Sequence, residues 1–318
     1  MPVVAELNAD IHQWSRLAKD TNAAPKAFEH RFVDKLPTLR LTFVNQFVIP
    51  VLKEIDHFAT VDTLARYYYL RNKPNELYRL KKVIDGYFTL RQFTLEGKYL
   101  IQDSERKQPR KDYDSRYDSL LAAILEPGAI FKDDVSFVSW NYDLEFERSL
   151  AKFKGSHIIE KIDQLYHING HSLPPSERFN DTDLGWMQYL DSQGGHDIRY
   201  AWERLTDVKA ELKTRLANTT HLVVIGYSFP VFNREVDRQI LAAPNLKKVY
   251  LQDLPKALPG IENRVKALLG ERARFIPEER IDVSTKDGIG FIPGRPQQGV
   301  ELELIDSVDQ FHIPFELL

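Results

Sequence analysis

The stretch His221-Leu-Val-Val-Ile-Gly-Tyr-Ser-Phe-Pro230 decides how this chain is read. An apolar, β-branched run is cut short by Gly226 and Pro230. That is the pattern of a strand buried on both faces that ends in a turn. A helix is expected from there to Leu241. Lys248-Val-Tyr-Leu251 repeats the strand pattern and reaches Gln252-Asp253, and a further helix is expected around Ile261–Leu269. Strand, turn, helix and strand in this order, with continuous apolar strands, imply a parallel sheet covered on both faces. The fold class is α/β, a doubly wound Rossmann-like sheet.

Upstream, Val135-Ser-Phe-Val-Ser-Trp140 is a β-prone run that leads into Asn141-Tyr142-Asp143 and a helix over Leu144–Phe153. Gln164–Ile168 reads as another strand, ending at Asn169-Gly170. Residues 172–198 are rich in Ser, Pro, Asp and Gly and read as an irregular insertion, followed by a helix over Ile198–Ala217. Strands at 135–140, 222–226 and 248–252 are expected side by side in one sheet, because successive crossovers return to the same sheet. Residues 1–130 read as a mainly helical insertion. Apolar spacing marks helices at Leu7–Ala18, Leu39–Ile55, Val61–Leu70, Glu76–Leu100 and Tyr113–Leu125. Leu77, Leu80, Val83, Ile84, Tyr87, Phe88 and Phe93 form a stripe read as core, and Thr60–Thr63 offers capping residues. The Rossmann-like core is expected over 131–318, with a Gly- and Pro-rich tail from Asp287 wrapping its surface. Glu105–Asp112, a charge run with a proline, reads as a solvated loop.

Composition narrows the chemistry. The chain has 318 residues, a formal net charge of −3 and no cysteine. A thiolate zinc site, a disulfide framework and a cysteine nucleophile are excluded. The charge gives no global basic field for nucleic acid. No apolar run is long enough to span a bilayer, and the start shows no basic segment followed by an apolar one. A cytoplasmic location is expected, with no membrane partner.

Motifs fall where open α/β sheets bind ligands, just beyond strand carboxyl ends. After the first strand, the carboxamide of Asn141 can hold a ribose hydroxyl or a water and Asp143 can orient it; both residues also suit capping of the next helix. Gly226 permits close backbone approach. Ser228 suits either a helix cap or a phosphate at the helix N-terminus. Gln252 can reach a ribose or a base.

Taken in order, these motifs resemble the sirtuin superfamily, specifically the bacterial sirtuin-like domains of anti-phage defence. The run FVSWNYDLEFE is similar to that family's strand ending in Asn-x-Asp, VVIGYSFPVFNREVD to its Gly-x-Ser nucleotide strand, and VYLQD to its adenosine-side strand. TVDTLARYYYL and ELYRLKKVIDGYF resemble a helical insertion of a bacterial subgroup, and DQFHIPFEL resembles that subgroup's C-terminal end. The resemblance implies NAD as a substrate-like ligand, cleaved at the nicotinamide ribose, with Asn141 and Asp143 catalytic. It implies nucleotide contacts from Gly226, Ser228 and Gln252, no metal, and a homo-oligomer or a defence-system partner protein.

The chain also departs from that pattern. His167-Ile-Asn-Gly-His171 stands where the family has Leu-His-Gly, so Asn169 meets the histidine position when Gly170 is aligned. Asn169 and Gly170 then join the nucleotide contacts. A neutral Asn is no general base. His167 shares a strand face with Asn169 and is the expected substitute base, with His171 second. The family's opening strand and Gly-rich phosphate loop have no counterpart, since Met1–Ile11 resembles the segment after that loop. Gly288-Ile-Gly290 is not set between a strand and a helix. The expected function is an NAD-cleaving effector or its remnant; the alternative is an inactive sirtuin-like module for nucleotide sensing or protein interaction.

Overall fold

The computed structural model describes residues 44–58, 60–95, 114–156, 160–172, 198–200, 202–203, 207–273, 299–307 and 309–317. The expected helix at Leu7–Ala18, the charge run, most of the 172–198 insertion and Gly288–Gly290 lie outside them. In chain order the regular elements are α1 (Ile49–Ile55), α2 (Val61–Leu70), α3 (Pro74–Leu95), α4 (Arg116–Ile124), β1 (Leu125–Glu126), β2 (Ile130–Phe131), β3 (Phe137–Ser139), α5 (Glu145–Phe153), β4 (Leu165–His167), α6 (Asp207–Leu216), β5 (His221–Ile225), α7 (Arg234–Leu241), β6 (Lys248–Gln252), α8 (Leu258–Leu269) and β7 (Glu301–Ile305). The protein is mixed α/β with parallel sheets. It divides into two compact units, Met1–Tyr117 with Phe137–Tyr200, and Asp118–Ser136 with Ala201–Leu318.

In the first unit, α2 begins where the sequence places it. Thr60 has extended backbone and its hydroxyl accepts from the Thr63 amide at 3.1 Å. Val61, Leu64, Ala65 and Tyr68 form its buried stripe. The α3 residues Leu77, Leu80, Val83, Ile84, Tyr87 and Phe88 are buried as the periodicity predicts. The described part of the expected helix at Leu39–Ile55 is a π-helical turn, Val44–Val48, running into α1, and 39–43 lie outside the described residues. Strands β3 and β4 pair in parallel with Phe137 opposite Leu165 and Ser139 opposite His167.

In the second unit, β5, β6 and β7 form a parallel sheet in that order, with Val223 opposite Tyr250 and Tyr250 opposite Glu303. One face is apolar. Leu222, Val224, Val249, Leu251 and Leu302 meet Leu241, Leu258, Ile261 and Val265 of the covering helices. Each Val or Leu fully buried there contributes about 1.5–3 kcal/mol. The other face is mixed: Val223, Ile225, Tyr250 and Ile305 share it with Lys248, which lies between Glu303 at 2.7 Å and Glu301 at 3.5 Å.

Three expectations change. Of the three strands expected side by side, β5 and β6 pair in parallel, but β3 pairs with β4 instead. The helix expected from Ile198 starts at Asp207; Ile198 to Tyr200 has no helical backbone, and the Arg199 amide donates instead to the Asn169 carbonyl at 2.7 Å. The tail read as a surface wrapper supplies β7, whose alternating Glu301-Leu-Glu-Leu304 turns Leu302 to the apolar face and the two glutamates to the face of Lys248.

Candidate functional site

The site of the first unit is built on the carboxyl ends of β3 and β4. The four successive carbonyls that leave β3 are each held by the β4 end. Ser139 O accepts from the Ile168 amide at 2.9 Å, and Trp140 O from the Asn169 carboxamide at 3.1 Å. Asn141 O faces His167 Nδ1 at 3.4 Å, and Tyr142 O accepts from both the amide (2.7 Å) and hydroxyl (3.0 Å) of Ser172. The Asn141 amide donates to the Ser139 hydroxyl at 3.1 Å. Gly170, at φ 66, makes the turn that lets this clamp close; the left-handed region favours glycine. Tyr142 anchors the loop from beneath, its hydroxyl donating to Asp62 of α2 at 3.2 Å and its ring meeting Phe88 of α3.

With its backbone so held, Asn141 presents a half-buried carboxamide that makes no hydrogen bond among the described residues. Asp143 is buried and accepts from the Glu145 amide at 3.3 Å, fastening the start of α5. Burial pushes its carboxyl up to about 6, with Glu147 adding to the rise. Asp143, and not Asn141, therefore bonds the first turn of α5, from one position before the cap residue Leu144, which has no side-chain cap of its own.

His167 Nε2 lies 2.6 Å from Glu147 Oε1, and both side chains are nearly buried, 11% and 6% exposed. Burial of the imidazole works against its charged form. The Glu147 hydrogen bond and charge outweigh it, so His167 titrates above its ordinary value. His171 packs edge-on against His167 with ring centroids 4.8 Å apart, and its Nδ1 is 3.0 Å from the Ser172 carbonyl. Glu147 was missed in the sequence. Its signal is the spacing Asp143-x-Glu145-x-Glu147, acids that continue past a strand end into the first turn of a helix and are all buried.

The remaining predicted residues lie in the second unit. Gly226 is exposed at φ 63, and a Cβ there would meet nothing within 4 Å, so the backbone angle rather than space calls for glycine. Ser228 is exposed. Its carbonyl accepts from Arg264 Nε at 2.7 Å, and its hydroxyl neither caps α7 nor bonds elsewhere among the described residues. Gln252 is 4% exposed and holds the chain's own C-terminal segment. Its Nε2 donates to the carbonyls of Ser307 and Gln310, each at 2.5 Å, and its Oε1 accepts from the His312 amide at 2.8 Å.

Among the described residues no group of three or more His, Cys, Asp or Glu is disposed to hold a metal, and no helix is long and apolar enough to cross a membrane. No protein-family model, curated protein or solved structure matches the chain.

Proposed function

We propose that the chain is a sirtuin-like NAD-binding domain derived from an NAD-cleaving anti-phage effector, with its chemistry at Asn141, Asp143 and the His167–His171 pair. The observation that carries this reading is the Asn141 carboxamide, fixed through its backbone by four neighbouring clamps and left to bond a ligand. A ribose hydroxyl or an attacking water suits it, and the adjacent imidazoles suit proton transfer. In the reaction a water oxygen bonds to C1′ of the nicotinamide ribose, the C1′–N bond breaks, and its electron pair leaves with nicotinamide.

The strand pairing supports the doubly wound part of the reading. Within the first unit β3 and β4 pair in parallel, and within the second β5, β6 and β7 do, which is the pairing that strands of an open α/β sheet make.

A second reading is an inactive module for nucleotide sensing or protein interaction. It is favoured by Gln252, whose amide is engaged by Ser307, Gln310 and His312 rather than turned to a nucleotide. It is favoured also by Asn169, which splints Trp140 where the family has its histidine.

The test is nicotinamide release and NAD binding by the purified chain beside Asn141→Ala and His167→Ala. Slow release that disappears in Asn141→Ala supports the first reading. NAD binding without release supports the second. Equal release by all three proteins, or no NAD binding, rejects this site.

A further inference from the structure

The carboxyl ends of β5 and β6 meet different surroundings in the second unit. Gly226 and Ser228, in the turn after β5, are exposed, and the Gly226 amide donates to the Gln252 carbonyl at 2.9 Å. The Gln252 side chain is instead buried, and all three of its hydrogen bonds go to backbone groups of residues 307–312. Its Nε2 donates to the Ser307 and Gln310 carbonyls and its Oε1 accepts from the His312 amide, so donor and acceptor are both taken up by the chain's own segment. This carboxamide sits at a strand carboxyl end, where open α/β sheets take their ligands. A ribose diol, or an adenine edge with a donor beside an acceptor, offers it the same kind of partners.

From Gln252 the segment runs back over the sheet. The His312 ring lies 5.2 Å from the Tyr250 ring, and the Tyr250 hydroxyl donates to the Glu316 carboxylate, at 2.9 and 3.0 Å from its two oxygens. Glu316 in turn stands 4.0 Å from His221 Nε2 at the start of β5. The hold is shallow. Ser307, Asp309, Gln310, Phe315 and Glu316 are exposed, Phe315 at 88%, and Pro314 alone is fully buried among the described residues of the segment. His312 Nε2 is buried with no hydrogen bond among the described residues, a cost that water removes when the segment lifts. A segment with few buried apolar groups opens locally at a fraction of the free energy of global unfolding.

We propose that residues 307–316 are an autoinhibitory strap over the carboxyl end of β6, and that a nucleotide binds there by displacing the strap from Gln252. The inference rests on the nucleotide-binding reading for the identity of the ligand. Strap and nucleotide compete for one carboxamide, so the apparent affinity is the intrinsic affinity reduced by the fraction of molecules with the strap lifted. Any change that loosens the strap and leaves Gln252 in place therefore tightens nucleotide binding. A merely structural segment behaves in the opposite way, since loosening it disorders the sheet end and weakens binding.

The experiment is calorimetric binding of ADP-ribose to the full chain, with amide hydrogen exchange read over residues 309–313. Tyr250→Phe removes the hydroxyl's hold on Glu316 and keeps the ring. It is expected to bind ADP-ribose about 2–10-fold more tightly than the wild type, the worth of one net hydrogen bond. Glu316→Gln, at an exposed position, keeps an acceptor and is expected to give a smaller gain of the same sign. In the wild type, saturating ADP-ribose is expected to quicken exchange over 309–313, because the bound nucleotide holds the strap off. Binding that leaves this exchange unchanged or slows it, or that gains in neither variant, overturns the proposal and leaves the NAD-binding reading standing. No binding by any of the three proteins overturns both. Strap displacement in a chain that releases no nicotinamide from NAD upholds the strap and counts against the hydrolytic reading instead.

Discussion

Asp237 of α7 is 1% exposed, and its Oδ1 accepts from the Tyr227 hydroxyl at 2.9 Å while Asn233 donates to that same hydroxyl at 3.0 Å. Its Oδ2 has no hydrogen-bond partner among the described residues. Burial raises its carboxyl from 3.8 to about 7. The folded state then holds a proton that the unfolded chain has already lost between those two values, so stability falls as pH rises through that window and levels off above it. A shift of about three units corresponds to roughly 4 kcal/mol at most. Asp237→Asn is expected to match the wild type in urea unfolding at pH 4 and to exceed it at pH 8; equal stability at both values would sink this account. Asp143 carries the same logic into the site. With its carboxyl at about 6, nicotinamide release that needs the anion should climb through pH 6, and Asp143→Asn should abolish that limb. Sequence alone singled out Asn141 and Asp143, because polar residues just past apolar strands stand out, whereas His167 was named through the family resemblance. The environments of Glu147 and Asp237 were not legible, since an acid in an amphipathic helix reads as solvent-facing until the opposing surface is known.

Among the elements, α2 and α5 were read to within a residue, because Thr60 and the Asp143–Glu147 acids mark their starts and the apolar spacing is unbroken. Thr60→Ala removes the cap of α2 and is expected to cost about 1 kcal/mol, measured by thermal or urea unfolding. The start of α6 differs from the expectation because Ile198, Tyr200 and Trp202 recur every second residue, the period of extended rather than helical backbone, and are buried without helical backbone. Strand β7 was missed for a different reason. Glu301 and Glu303 alternate with Leu302 and Leu304, but glycines and prolines just before them masked the period. Gln252 ties the end of β6 to residues just beyond β7 through three hydrogen bonds. At about 1 kcal/mol for each such bond, Gln252→Glu, which cannot donate to two carbonyls, should lower stability by roughly 2–3 kcal/mol. Amide exchange of residues 307–312 should quicken in that variant. Unchanged exchange there would show that the segment is held by other contacts.

For the whole molecule, composition and strand texture were enough for the α/β class and its parallel pairing. They did not reveal that the motifs are shared between two units, Asn141, Asp143 and His167 in one and Gly226, Ser228 and Gln252 in the other. Motif order along a chain records connectivity, and a chain that leaves one unit over 118–136 and returns to it is invisible at that level. Strand β5 carries a related tension. Its sequence is that of an interior strand, yet among the described residues it pairs only with β6. The Gly226 amide donates to Gln252 O and the Lys248 amide to Thr220 O. By alternation, Leu222 and Val224 turn their backbone groups to β6, while His221, Val223 and Ile225 turn theirs away. In hydrogen exchange of the isolated chain, the amides of Leu222 and Val224 are expected to be slow and those of Val223 and Ile225 fast. Uniformly slow amides along β5 would mean that a further strand runs beside it.

The pairing of β6 with β7 has a kinetic consequence. Strands β5 and β6 are joined by one short crossover through α7, whereas Gln252 of β6 meets Ile305 of β7 across roughly twice as much chain. The entropic handicap of the longer closure is small, about 0.6 kcal/mol for a doubling of loop length. Its effect on the order of events is larger, because distant pairings form late. Refolding of the second unit should therefore run through a species in which β5, α7 and β6 have already assembled. During that interval the edge of β6 that faces β7 in the finished unit is open, and the same edge is the natural point of attack for self-association of a half-folded chain.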